Sequence, residues 1–372
     1  MNILIINETC GIGSHGKICL EIAKQLEENG NVVKIAYGRD FYVPEEAKKY
    51  AVPIGNKFSF IHHALITRLF DKHGLGSKIA TKKFLKWADS FKPDLIWLHN
   101  IHGYYINFVL LFDWIKHQKD LKEIKWTLHD CWALTGHCSH FMSIGCDKWK
   151  TQCCHCPLKR DYPKSVFIDN SYSNYIVKKK SFTGVQNMEL IVPSNWLKCI
   201  VKESFLKDYK VTLIRNKINT NVFRKKSNPI FKTKYNLYGK TMVLAVANVW
   251  TPKKGLNDFI TLSNLFENKD YVFVMVGVSK KEKGRIPKSI ITIEKTNNQD
   301  ELVDIYSSAD YFVNLTYEDN YPTVNLEAEA CGAIVITYNT GGCSETVTNK
   351  SFVVEAGDLQ SVYNILIAGI KK

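Results

Sequence analysis

Ile3-Leu4-Ile5-Ile6-Asn7-Glu8-Thr9-Cys10-Gly11-Ile12-Gly13-Ser14-His15-Gly16 decides how the chain folds. Residues 3–6 are all apolar and suit a strand buried on both faces, as in a parallel sheet. A loop with Gly11 and Gly13 follows, and residues 17–28 then read as a helix with Ile18, Ile22 and Leu26 on one face. Gly30 stops it. Residues 32–36 supply the next strand. Strand, loop, helix and strand in this order open a doubly wound α/β sheet. Residues 95–98, 125–128 and 190–192 read as later strands of it, and Ser194 caps the helix carrying Trp196 and Leu197.

The pattern then restarts. Strands at 241–247, 271–276, 290–293, 311–314 and 333–337 alternate with helices at 256–266, 300–308 and 322–331. The expectation is two Rossmann-like domains, residues 1–200 and 201–372, facing each other across a cleft, with a hinge near 190–215. A length of 372 residues, 45% of them hydrophobic, suits two cores of this size. No run of 18 apolar residues occurs, and the start lacks the basic region of a signal peptide. The chain is therefore expected to be cytoplasmic, peripheral at a membrane's inner face at most. The formal charge of +14 suits phosphorylated ligands or an anionic lipid surface. Its lysines are scattered and its arginines few, so nucleic acid is not an expected partner.

Glu318-Asp319-Asn320-Tyr321-Pro322-Thr323-Val324-Asn325-Leu326-Glu327 carries the chemistry. Two acids sit in a loop after a strand, and Pro322 stands where a helix begins. The amides of Thr323 and Val324 would face whatever lies before that helix, and a diphosphate is stabilised there. Carboxylates cannot bind phosphate, but they suit sugar or ribose hydroxyls. The plainer reading is that the acids only favour the helix start.

This segment resembles the signature of the retaining nucleotide-sugar glycosyltransferases of the two-Rossmann-domain (GT-B) group called family 4. Asp319, seven residues, Glu327 and then Ala328-Glu329-Ala330-Cys331-Gly332 carry the resemblance. It implies that Asp319, or its neighbour Glu318, holds donor-sugar hydroxyls and that Glu327 holds the ribose. Gly11 and Gly13 fall where that family brings backbone close to the donor phosphate, and Lys254-Gly255 where it places a diphosphate-binding lysine. Val249 stands where an arginine is usual, so Lys253 would supply the second charge. His129-Asp130 matches a histidine near the reacting sugar. Ser194, Asn216, Phe223, Gly277 and residues 300–314 fit the remaining spacing. The reaction implied moves a sugar from a nucleoside diphosphate to a hydroxyl of a glycan or lipid-linked glycan. No Asp-x-Asp motif occurs, so the chemistry is expected to need no cofactor.

Eleven cysteines in such a chain argue against a disulfide framework. Cys138, Cys146, Cys153 and Cys156 lie close in sequence within residues 131–157 and are candidates for a structural zinc site, with Cys154 spare. Free thiols remain the alternative, and His137, His140 or His155 could replace one thiolate. A subset of the family from bacterial surface-polysaccharide clusters resembles the stretch His129-Asp130-Cys131-Trp132 leading into such a loop. Competing readings are a nucleotide-sugar epimerase, a phosphorylase, a silent binding protein, or an NAD-dependent oxidoreductase. The last would use Gly11, Gly13 and Gly16 with Asp40 as its acidic residue.

Overall fold

A computed structural model describes residues 1–39, 41–266 and 270–369. Asp40 lies outside the described residues. By internal packing the chain divides into two units. One runs to Ile214 without Met142–Ile144, and the other takes Met142–Ile144 and everything from Arg215 on.

The first unit is a seven-stranded, wholly parallel sheet. Its strands are β1 (Asn2–Ile6), β2 (Val32–Tyr37), β3 (Ala51–Pro53), β4 (Leu95–Leu98), β5 (Glu123–Thr127), β6 (Met188–Val192) and β7 (Lys210–Leu213). They lie in the order β3-β2-β1-β4-β5-β6-β7, so the winding reverses between β1 and β4. Ile3, Leu4, Ile5 and Ile6 are all buried, as a strand covered on both faces requires. Helices α1 (Gly13–Glu28), α2 (Lys57–Phe70), α3 (Lys78–Phe91), α4 (Phe108–His117), α5 (Ser171–Phe182) and α6 (Asn195–Glu203) accompany the sheet. In α4, Phe108, Leu111, Phe112 and Ile115 form the inward stripe, each fully buried side chain contributing roughly 1.5–3 kcal/mol. Ser194 caps α6 as expected, its Oγ accepting from the Leu197 amide at 3.1 Å. The sheet continues past residue 200, because β7 pairs in register with β6.

Two of the boundaries that differ from the sequence reading bear on the site. Helix α1 starts at Gly13 rather than Lys17, so the glycine loop is only Thr9 to Ile12 and Gly13 is the first helical residue. The helix after Asn320 (Thr323–Ala330) starts at Thr323, with Pro322 just outside it at the cap position.

The second unit is a six-stranded parallel sheet in the order β10-β9-β8-β11-β12-β13. Its strands are β8 (Thr241–Val246), β9 (Tyr271–Val276), β10 (Ile290–Ile293), β11 (Tyr311–Asn314), β12 (Ile334–Tyr338) and β13 (Phe352–Val354). Its helices are α7 (Phe231–Lys234), α8 (Leu256–Asn264), α9 (Lys280–Lys283), α10 (Gln299–Ser308), α11 (Thr323–Ala330) and α12 (Leu359–Ala368). Every residue of β9 is buried. The winding reverses between β8 and β11, and in such sheets ligands sit beyond the strand ends at that point. Among the described residues no helix is long and apolar enough to cross a membrane.

Candidate functional site

The reversal between β8 and β11 gathers the residues that the sequence singled out. After β8 the chain turns through Thr251 to Gly255, and after β11 through Thr316 to Asn320. Backbone hydrogen bonds lock the two turns together: the Tyr317 amide donates to the Lys253 carbonyl at 2.8 Å, and the Thr316 hydroxyl donates to it at 3.3 Å. Two lysines and two carboxylates meet as a result. Lys253 Nζ lies 3.0 Å from Glu318 Oε1, and Lys254 Nζ lies 2.7 Å from Asp319 Oδ2 and 3.1 Å from the Glu318 carbonyl. Burial lowers the Lys254 pKa, but the Asp319 carboxylate outweighs it and the net shift is upward, so Lys254 stays charged at neutral pH.

The two acids differ in access. The Glu318 side chain is 7% exposed, closed in by Lys253 and by Ser143, whose hydroxyl donates to it at 2.5 Å. The Asp319 side chain is 27% exposed. The loop around Asp319 depends on Gly341: its φ is +56°, and a Cβ there would lie 1.9 Å from the Asp319 carbonyl oxygen. Thr323 and Val324 begin α11 immediately after this loop. Glu327 stands apart from the lysines, accepting from the Tyr306 hydroxyl at 3.1 Å. Tyr306 was missed in sequence because it reads as one more apolar position of α10.

The first unit carries a separate polar cluster at the carboxyl ends of its central strands. Glu8 follows β1, Arg39 follows β2, His99 and His102 follow β4, and His129 and Asp130 follow β5. Gly11 and Gly13 both have positive φ in the turn after β1, and the Gly11 amide donates to the Gly16 carbonyl. Arg39 pairs with Glu8 at 2.5 Å. Burial pushes Glu8 upward, but His15 and Arg39 outweigh it and hold the carboxyl at about 2. His102 Nε2 lies 3.0 Å from Asp130 Oδ2, and His102 Nδ1 lies 3.2 Å from the Tyr162 hydroxyl. His129 is buried, with Nε2 2.9 Å from His99 Nδ1 and its ring 4.2 Å from that of His15. Burial, then the neighbouring His15 and His99, drive its pKa well down, so its ring is neutral at physiological pH. Only the strand order shows that His99 and His102 belong with His129.

Cys138, Cys146, Cys153 and Cys156 line one small cavity together with His137 and Cys154. The thiols of Cys138 and Cys156 share a hydrogen bond that raises the first and lowers the second. No cysteine of the chain is in a disulfide. Among the described residues, no group of three or more His, Cys, Asp or Glu side chains is arranged to hold a metal ion. The expected zinc set is thus present as neighbours, without a ligand geometry.

Residues 227–368 match the family model described as Glycosyl transferases group 1. WcaC of Escherichia coli K12, named for colanic acid biosynthesis glycosyl transfer, is 26% identical over 189 residues, which cover 49% of this chain and 45% of that protein. An N,N'-diacetylbacillosaminyl-diphospho-undecaprenol α-1,3-N-acetylgalactosaminyltransferase of Campylobacter jejuni is 25% identical over 208 residues, covering 50% of this chain and 52% of the relative. These matches span about half the length of the curated relatives. The solved structure of Anabaena HepE with UDP superposes at a TM-score of 0.66 and 14% identity, covering 100% of this chain and 90% of that one. The architecture is the α/β GT-B fold of glycosyltransferases, two Rossmann-like units in one chain. Its second unit is similar to the glycosyl transferases group 1 family over those residues, and the similarity extends to enzymes named for bacterial surface-polysaccharide synthesis.

Proposed function

We propose that the protein is a retaining, family 4 glycosyltransferase. It moves a sugar from a nucleoside diphosphate to a hydroxyl of a glycan or lipid-linked glycan in surface-polysaccharide synthesis, at the cytoplasmic face of a membrane. The observation that carries this reading is the Lys253, Lys254, Glu318 and Asp319 cluster at the winding reversal of the second sheet, directly before α11. As the glycosidic bond breaks, negative charge grows on the leaving diphosphate. Lys254, with Lys253 beside it and the amides of Thr323 and Val324, would meet that charge. Asp319, the more open acid, would hold donor-sugar hydroxyls, with Glu318 as a nearby second. Glu327, oriented by Tyr306, would hold the ribose. Gly11 and Gly13 would let backbone approach the diphosphate, and His129, its ring neutral, would hydrogen-bond the donor sugar or phosphate while the acceptor hydroxyl's proton passes to the leaving phosphate.

Supporting the donor class, HepE was solved with UDP, and the Campylobacter relative is named for transfer to a lipid-linked diphosphate sugar. Incubation with a panel of labelled nucleotide sugars and membrane lipid extract tests the reading. The expected result is a labelled product larger than the donor, together with free nucleoside diphosphate. Conversion of the donor to an isomeric nucleotide sugar without acceptor product would instead establish epimerisation, and NAD reduction would establish the oxidoreductase reading.

The cysteine loop is proposed to take a structural zinc ion. The support is donor chemistry: four thiols around one cavity, of the type that zinc prefers. Elemental analysis of protein purified under reducing conditions is expected to find one zinc per chain, and its release by chelator to expose the four thiols to a thiol reagent. A metal-free protein with the same stability would remove the zinc claim.

A further inference from the structure

Helix α2 is amphipathic in the reverse sense. Its polar residues His63 and Thr67 are fully buried. His63 Nδ1 lies 2.9 Å from the Ser77 hydroxyl, and its Nε2 accepts from the Gly74 amide at 3.0 Å. Outward, at helical spacing, stand Phe58 at 83% exposed and Ile61 and Leu65 at 52% each. The apolar surface continues beyond the helix. The Val166 amide donates to the Arg68 carbonyl at 2.8 Å, which lays residues 166–168 along the last turn, and Phe167 is 70% exposed there. A soluble helix normally hides such a stripe, and an exposed contiguous patch of this kind marks a surface that something covers.

The charge around it selects the partner. Lys57, Arg68 and Lys72 on or beside the helix are exposed, as is Lys164, and Lys159 donates to the Phe167 carbonyl. Between residues 57 and 72 the only carboxylate is Asp71, which is buried and bound to His137. A second copy of this chain or an ordinary protein surface would have to bring its own acids, whereas an anionic bilayer supplies negative charge and an apolar interior together. At 14 residues α2 is too short to span a bilayer but suits lying in its plane.

We infer that the outer face of α2, with residues 166–168, is an insertion surface for anionic lipid. It would seat the first unit on the membrane through Phe58, Ile61, Leu65 and Phe167 within a rim of lysine and arginine. This rests on the proposed membrane setting of the acceptor and gives that setting a surface. Flotation of the full chain with vesicles tests it. Binding to phosphatidylglycerol-containing vesicles is expected, with little to pure phosphatidylcholine. The variant Phe58→Ser/Ile61→Ser/Leu65→Ser is expected to lose about tenfold or more in partitioning. Lys57→Glu and Arg68→Glu should each cost roughly fivefold, fading as salt rises. UDP binding, measured in solution on the same preparations, should be unchanged because none of these residues belongs to the proposed donor site. Flotation that fails on anionic vesicles, or that ignores both sets of variants, overturns the surface while leaving the donor reading to stand on its own binding data. A wild-type dimer abolished by the triple variant, without lipid binding, would overturn it in favour of a second copy.

Discussion

Lys254→Ala is expected to lower the rate of sugar transfer by roughly 10²- to 10³-fold, the usual cost of removing one preorganised group from a developing negative charge. The effect should fall on kcat more than on KM, because the charge that Lys254 meets is greatest as the glycosidic bond breaks. The ion pair with Asp319 offers a competing explanation, in which the substitution acts only by leaving that carboxylate without its cation. A double-mutant cycle separates the two. If Lys254 serves merely as the partner of Asp319, then Lys254→Ala/Asp319→Asn should be no slower than Asp319→Asn alone. If it meets the diphosphate, the double variant should be slower than Asp319→Asn by most of the factor that Lys254→Ala costs by itself. Near-normal kcat in Lys254→Ala would move the diphosphate elsewhere. The pairing has a mechanistic consequence too. The two lysines contact the two acids, so on the proposed reading donor binding would trade a lysine–carboxylate contact for a lysine–phosphate one and free Asp319 for a hydroxyl.

The parts legible in sequence are those where one local signal suffices. The apolar runs at residues 3–6 and 271–276 became central strands because a strand buried on both faces needs no alternation. The Asp319-to-Glu327 segment was legible because a strand end, two acids and a helix start stand in one short stretch. Other features needed the fold. Helix α2 has no core-facing apolar stripe; its inward residues are His63 and Thr67, so the usual periodicity is reversed. Strands β3 and β7 are sheet edges of only three and four residues, too short to show a periodicity. The start of α1 was hidden because two glycines and the lack of a side-chain cap read as loop. His102 and Asp130 lie 28 positions apart and meet only because β4 and β5 are adjacent and parallel. The reach of Lys254 to Asp319 likewise depends on β8 lying beside β11. Cysteine spacing correctly marked a cluster, but not how its thiols are arranged.

Asp71→Ala is expected to destabilise the first unit by about 2–6 kcal/mol, because it leaves two hydrogen-bond partners unsatisfied at roughly 1–3 kcal/mol each. Asp71 ends α2, and neither its side chain nor that of His137 is exposed. One carboxylate oxygen lies 2.5 Å from His137 Nδ1, the other accepts from the Asn170 amide at 2.8 Å, and the Asp71 carbonyl accepts from the Asn174 side chain at 2.7 Å. A single residue thus joins the end of α2, the cysteine loop and the start of α5. Alanine keeps only the carbonyl contact and leaves a buried ring nitrogen and a buried amide unpaired. Asp71→Asn keeps an acceptor oxygen for one of them and should cost roughly 1–3 kcal/mol. Chemical denaturation followed by near-ultraviolet circular dichroism gives both values, and a loss under about 1 kcal/mol for alanine would show that the pair does not hold the loop. The cycle with His137→Ala then decides between two accounts. If the cost is the stranded partner, removing His137 as well should return part of it. If instead Asp71 acts mainly through Asn170 and α5, the two losses should add. Because His137 lines the cavity of the four cysteines, the first outcome would also make Asp71 the residue that orients the cysteine loop from outside it.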